Sequence, residues 1–141
     1  MSKNDIESIQ ELCGYISYFE NIDPESAIQW EGGQKLSDST FTLSYPRYEK
    51  DFLEFIDAFY NGNLLVPNYT HVIEQKVPDW QTADKNKVVE TADFELLMAI
   101  LTACMRGERF CDGAWGNSIK SGLFLSILQR LNVLHTSNNT I

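Results

Sequence analysis

Two apolar segments in the second half of the chain set the strongest constraint on its fold. Residues 94–106 read FELLMAILTACMR and residues 122–131 read GLFLSILQRL. Each is apolar on nearly every face of a 3.6-residue helix, so each must be covered by other elements. The run Leu96–Met105 is broken by Thr102 and is too short to cross a bilayer. The expectation is therefore two central helices, about 92–106 and 122–132, with Thr91 as the cap of the first and Asp93 and Glu95 favourable in its first turn.

The remaining periodicities supply what would cover them. Ile6, Ile9, Leu12, Cys13, Ile16 and Phe19 recur at three and four residues, which predicts an amphipathic helix over about 5–20, with Asn4 as its cap. Gly14 weakens its middle or admits another backbone. Asp23–Pro24 begins a short helix that ends at Gly32–Gly33, with Trp30 at its end. Residues 37–45, SDSTFTLSY, alternate and form the best strand candidate, with Val72–Ile73 or Lys87–Val89 as partner and an extended loop as the competing reading. Pro46 breaks that segment. Tyr48, Phe52, Phe55, Ile56 and Phe59 predict a helix over 48–60, stopped by Asn61–Gly62–Asn63. Residues 68–90 read as loop with short helical pieces, anchored by Trp80. The fold class is mainly α: a compact single-domain bundle of four to five helices with at most a short β element. The domain spans 1–136, and 137–141 form a polar tail.

Between the apolar segments lies RGERFCDGAWGNSIKSG, residues 106–122. Most of it reads as a corner. Arg106 suits the last turn of a helix and Gly107 a left-handed stop. Asp112 can cap a short helix over 113–120 whose core side carries Trp115 and Ile119. Glu108, Arg109 and Cys111 are left over. Arg109 could hold a carboxylate or phosphate, or pair with Asp112 or another acid. A pocket lined by Arg106, Arg109, Asp112, Trp115, Tyr45 and Trp80 is the candidate ligand site. Cys111 is a nucleophile only if a base lies beside it, and the histidines, His71 and His135, are distant in sequence.

Composition narrows the function classes. The chain carries 20 acidic and 11 basic residues, a net charge of −9. Twelve acids and four basic residues fall in 1–60. That balance argues against nucleic acid and anionic membranes, whose binding needs clustered Lys and Arg. Three cysteines without a CxxC form neither a disulfide framework nor a zinc site, and they read as reduced thiols of a cytoplasmic protein. No phosphate-binding glycine loop, GxSxG or HExxH motif is present, so no cofactor, metal or catalytic constellation is expected.

The segment ADFELLMAILTACMRGERFCDGAWGNSIKSGLFLSILQRL resembles the C-terminal signature of an uncharacterised bacterial family of unknown function. Its pattern is an apolar helix, an R-G-E-R-F-C-x-G-x-W-like corner, and a second apolar helix. SYPRYEKDFLEFIDAFYNGNLLVPNY, residues 44–69, is similar to the middle of the same family. The resemblance implies that Arg106, Gly107, Arg109, Phe110, Gly113 and Trp115 occupy shared positions, and it implies no reaction. Three functions stay open. The first is a non-catalytic intracellular module that binds a protein partner or self-associates. The second is a small anionic-ligand binder using the Arg106–Trp115 corner. The third is a small enzyme using Cys111.

Overall fold

The computed structural model describes residues 3–139, which are mainly helical. The elements are α1 (Lys3–Cys13), α2 (Ile16–Asn21), α3 (Pro24–Ala27), β1 (Ile28–Glu31), β2 (Tyr45–Tyr48), α4 (Lys50–Asn61), α5 (Tyr69–Lys76), α6 (Lys85–Thr91), α7 (Phe94–Arg106), α8 (Ala114–Lys120) and α9 (Leu123–Asn139). A single 3-10 turn, Gly107–Arg109, follows α7. Four to five helices is therefore too low a number. The excess comes from short helices that sequence periodicity reads as loop or as parts of longer helices.

The two apolar segments sit at the centre, as their all-round hydrophobicity requires. Helix α9 packs against α1, α2, α6, α7 and α8, and α5 covers the outer face of α7. The polar exception inside α7 is satisfied: Thr102 is fully buried and donates to the Met98 carbonyl at 2.8 Å. Its hydroxyl also accepts from Val66 N–H at 3.1 Å, which pins the 64–67 connection to α7. Helix α9 runs on to Asn139, so residues 137–139 continue it, while 140 and 141 lie outside the described residues.

An aromatic cluster locks the first half onto this centre. Phe19, Phe52, Phe55 and Phe124 are all buried. Phe124 of α9 stands 5.7 Å from Phe19, 5.7 Å from Phe52 and 5.5 Å from Phe55, centroid to centroid. The 5–20 segment is not one helix. It stops at Gly14, whose N–H bonds Gln10 and Glu11 carbonyls, and restarts at Ile16. The offset turns Phe19 into the cluster, edge-on to Phe55 at 4.9 Å. Gly14 admits no foreign backbone; a Cβ there would meet its own helix's Glu11 carbonyl at 3.1 Å. Asn4 lies inside α1 rather than capping it.

The β element differs most from expectation. Residues 28–31, expected to end a helix, form β1, and β2 is Tyr45–Tyr48 rather than 37–45. The strands pair antiparallel, with Ile28 opposite Tyr48 and Trp30 opposite Pro46. Pro46 is tolerated because both strands are edges. Neither Val72–Ile73 nor Lys87–Val89 is a partner, since they lie in α5 and α6. Residues 32–44 extend the pair as an irregular arm, with Gly33 N–H bonding Thr42, Thr42 N–H bonding Gln34, and a bridge between Lys35 and Phe41. Gly32 makes the crossing possible: its φ is +84°, and a Cβ would fall 1.9 Å from the Leu43 carbonyl oxygen.

Caps also shift by local chemistry. Asp93, not Thr91, caps α7, its carboxylate accepting from Leu96 N–H at 2.8 Å while Lys76 pairs with it at 2.7 Å. Together these hold the Asp93 carboxyl below its ordinary value, Lys76 being the larger cause. A depressed folded value means that this contribution to stability is present above the unfolded value near ~4 and fades as pH falls through the folded one.

Candidate functional site

The corner between α7 and α9 is organised by Glu108, one of the residues that the sequence left over. The 3-10 turn after α7 points its carboxylate back at the start of α8. Glu108 Oε2 accepts from Gly113 N–H at 2.8 Å, and Oε1 accepts from Trp115 N–H at 2.9 Å. Tyr48, at the end of β2, donates its hydroxyl to Oε1 at 2.8 Å and accepts from Gly116 N–H at 3.1 Å. One carboxylate and one phenol thus satisfy three N-terminal amides of α8. Burial and the adjacent Glu108 carboxylate raise the Tyr48 hydroxyl far above its usual range, so it stays a donor at any ordinary pH.

Gly113, not Asp112, stands at the cap position, and Asp112 is exposed. Gly113 has φ +89°, and a Cβ there would lie 2.8 Å from Trp30 Cζ2; a Cβ on Gly116 would lie 2.6 Å from Ile28 Cδ1. These glycines let β1 lie directly on α8. Gly107 is not left-handed; its φ is −55°, because the chain continues into the 3-10 turn. Trp115 faces inward, its indole N–H donating to the Met105 carbonyl at 3.0 Å and its ring 5.3 Å from Tyr48 and 5.7 Å from Phe52. The corner's anion position is therefore filled from within the chain.

The six candidate ligand residues do not converge. Trp115 is a packing residue. Arg109 and Asp112 are exposed, and no ion pair joins them or any other acid to Arg109 among the described residues. Tyr45 lies on the arm and donates to Glu31 at 3.1 Å, beside Arg47, which bonds Glu31 at 3.0 Å. Trp80 lines a groove beside α5. Arg106 lies with its guanidinium 5.9 Å from the Tyr69 ring centroid.

Cys111 has no base. It is exposed, and its contact is the neighbouring Asp112 carbonyl at 3.7 Å. The other thiols are half-buried, and desolvation pushes Cys13 up to about 11 and Cys104 up to about 12. Raised values favour the unreactive thiol form at neutral pH. With iodoacetamide at pH 8, Cys111 is expected to label at least tenfold faster than Cys13 and Cys104, and all three equally in denaturant. Equal native rates would mean that the helix packing around Cys104 opens readily. No group of residues able to hold a metal ion occurs among the described residues.

Two residues of this site escaped the sequence reading. Glu108 lies five and seven positions before its backbone partners, which no capping-box spacing covers. Tyr48 lies sixty positions from Glu108 and carries an ordinary helical-face pattern in sequence. Its partner is created by the β1–β2 pairing.

Fold and corner together define a mainly helical protein in which the stretch after α7 builds a self-capped helix junction. The chain belongs to the family of unknown function DUF6508, whose family model matches residues 4–137. No curated protein and no solved structure matches it significantly. No helix among the described residues is long and apolar enough to cross a membrane.

Proposed function

We propose that this chain is a non-catalytic interaction domain that self-associates through the arm formed by residues 28–48. The observation that carries the reading is where the uncovered apolar side chains lie. Of eight large apolar residues left exposed among the described residues, five are on the arm: Trp30, Leu36, Phe41, Leu43 and Tyr45. Phe110, 78% exposed, adds a sixth beside the corner on which Trp30 packs. Concentrated exposed apolar surface marks association sites on folded domains. The outer edges of both strands are also unpaired.

Charge argues for a second copy as the occupant. Residues 28–48 hold two acids, Glu31 and Asp38, and two basic residues, Lys35 and Arg47, so the arm is neutral. The whole net charge of −9 lies elsewhere on the chain. Two copies can meet arm to arm without opposing like charges, and an isologous contact lets Arg47 of each face Glu31 of the other. Sedimentation of the wild type at about 100 µM is expected to give a dimer. Phe41→Glu combined with Leu43→Glu should weaken it at least tenfold, whereas Leu53→Glu on α4 should not. A wild type that stays monomeric at that concentration would sink the reading.

A further inference from the structure

We propose that the second copy joins the arm by strand addition, pairing antiparallel with the outer edge of β1 and not with β2. The two copies then share a four-stranded sheet, with Trp30 facing its own counterpart on the two-fold axis. This rests on the reading of the arm as a self-association surface, and it names the edge and the register through which the arm is used.

Which backbone groups point outward follows from the ladder. Glu49 N–H donates to the Ala27 carbonyl at 3.0 Å, so residues 27 and 49 form a hydrogen-bonded pair. In an antiparallel ladder such pairs alternate with non-bonded ones, whose N–H and C=O groups face away from the partner strand. Ile28 pairs with Tyr48, Gln29 with Arg47, Trp30 with Pro46 and Glu31 with Tyr45. Gln29 and Glu31 therefore bond β2, while the backbone groups of Ile28 and Trp30 on β1, and of Tyr48 and Pro46 on β2, turn outward. Pro46 has no N–H, and Tyr48 is buried, so β2 presents no exposed outward donor. Strand edges that stay unpaired are commonly blunted by proline or lysine. β2 carries Pro46, whereas β1, Ile28–Glu31, carries neither.

The outer edge of β1 is open at Trp30. That residue is 54% exposed, and its N–H and carbonyl bond no other element among the described residues. Ile28 is buried, which confines pairing to the Trp30 end of the strand. A second copy brings an identical edge, and Gln29–Trp30–Glu31 suits itself. With Trp30 on the two-fold axis, each Trp30 exchanges both backbone bonds with its counterpart, and Glu31 of one copy stands opposite Gln29 of the other. No carboxylate then faces a carboxylate across the new pair. Arg47 lies behind Gln29 in the same row, so each Glu31 looks toward a cation of the other copy while keeping its own bonds to Arg47 and Tyr45. Both Trp30 side chains fall on the sheet face that carries Gly113 and α8, where their exposed halves cover one another.

The test follows sedimentation and amide hydrogen exchange of the ¹⁵N-labelled chain together over a dilution series. The Trp30 amide is expected to exchange at least tenfold more slowly in the dimer than in the monomer. In a dimer mixed from ¹³C-labelled and unlabelled chains, an NMR contact between Gln29 Hα of one copy and Glu31 Hα of the other is expected, since these form the non-bonded pair beside Trp30. Trp30→Pro removes the outward N–H and keeps the ladder bonds on either side of it. It should weaken the dimer at least tenfold more than Trp30→Ala, which loses the ring and keeps the N–H. The exchange and mixed-labelling measurements use the wild type, so they stand even if the proline variant does not fold. A dimer whose Trp30 amide exchanges at the same rate at every concentration, or that lacks the contact between copies, overturns the pairing through β1 and leaves self-association through the arm in place. A chain that stays monomeric throughout overturns both.

Discussion

Replacing Phe124 by alanine is expected to cost about 3–5 kcal/mol, the range for truncating a fully buried aromatic residue. The reason lies in what the ring joins. Phe124 has no exposed surface, and it contacts Phe19 of α2 together with Phe52 and Phe55 of α4. Losing it leaves a cavity where α2 and α4 of the first half of the chain meet α9. Neighbouring rings cannot collapse into that space without breaking their own edge-to-face contacts. Domains of this size are stable by about 5–15 kcal/mol, so the variant should retain helix but unfold at a much lower urea midpoint. Phe124→Leu, which keeps most of the volume, should recover more than half of the loss. A loss under about 1 kcal/mol for alanine would show that the aromatic cluster is not where the two halves are held.

Glu108→Ala is expected to cost about 3–4 kcal/mol, although Glu108 is only half-buried. Its carboxylate accepts from Tyr48 and from the Gly113 and Trp115 amides at 2.8–2.9 Å. Hydrogen bonds to a charged group contribute about 1.5–3 kcal/mol each, and they do not add fully within one network. Alanine also leaves the Tyr48 hydroxyl and two helix-start amides to find water in a partly closed site. Glu108→Gln should lose about half as much, because its amide group can accept through one oxygen only. Tyr48→Phe should cost about 1–2 kcal/mol, and the double variant less than the sum of the two, since both act in one network. The readout is the urea midpoint of each protein, with the arm's Trp30 fluorescence reporting the β1–α8 contact. Fully additive losses would mean that the two residues stabilise the corner separately.

Where sequence and structure agree, the agreement has a local cause. Helices α7 and α9 were legible because their hydrophobicity is continuous and depends on nothing distant. The helix at α4 was legible from Phe52, Phe55 and Phe59, and the stop at residues 61–63 from Asn–Gly–Asn chemistry, with Asn63 at φ 55°. The family was legible because the stretches that resemble it are contiguous. Where they differ, a partner from elsewhere in the chain decides. Residues 28–31 carry no strand pattern that outweighs the proline-started helix before them. They extend because residues 45–48 lie alongside, and because glycines at 113 and 116 let them seat on α8. Tyr48 left the helix that its spacing predicts for the same reason. The six candidate ligand residues were grouped by chemistry, and the fold distributes them among the arm, the corner and the groove.

The sequence alone thus determined the helical class, the two buried helices, the acidic charge and the family, since these follow from composition, periodicity of a few residues and contiguous motifs. Only the tertiary structure decided that Glu108 fills the start of α8, that Trp30 closes over Gly113, and that Arg106 faces Tyr69. Those are contacts between groups up to eighty-three positions apart, as between Trp30 and Gly113, and hydrogen bonding and close packing at such separations are set by which surfaces the whole chain brings together.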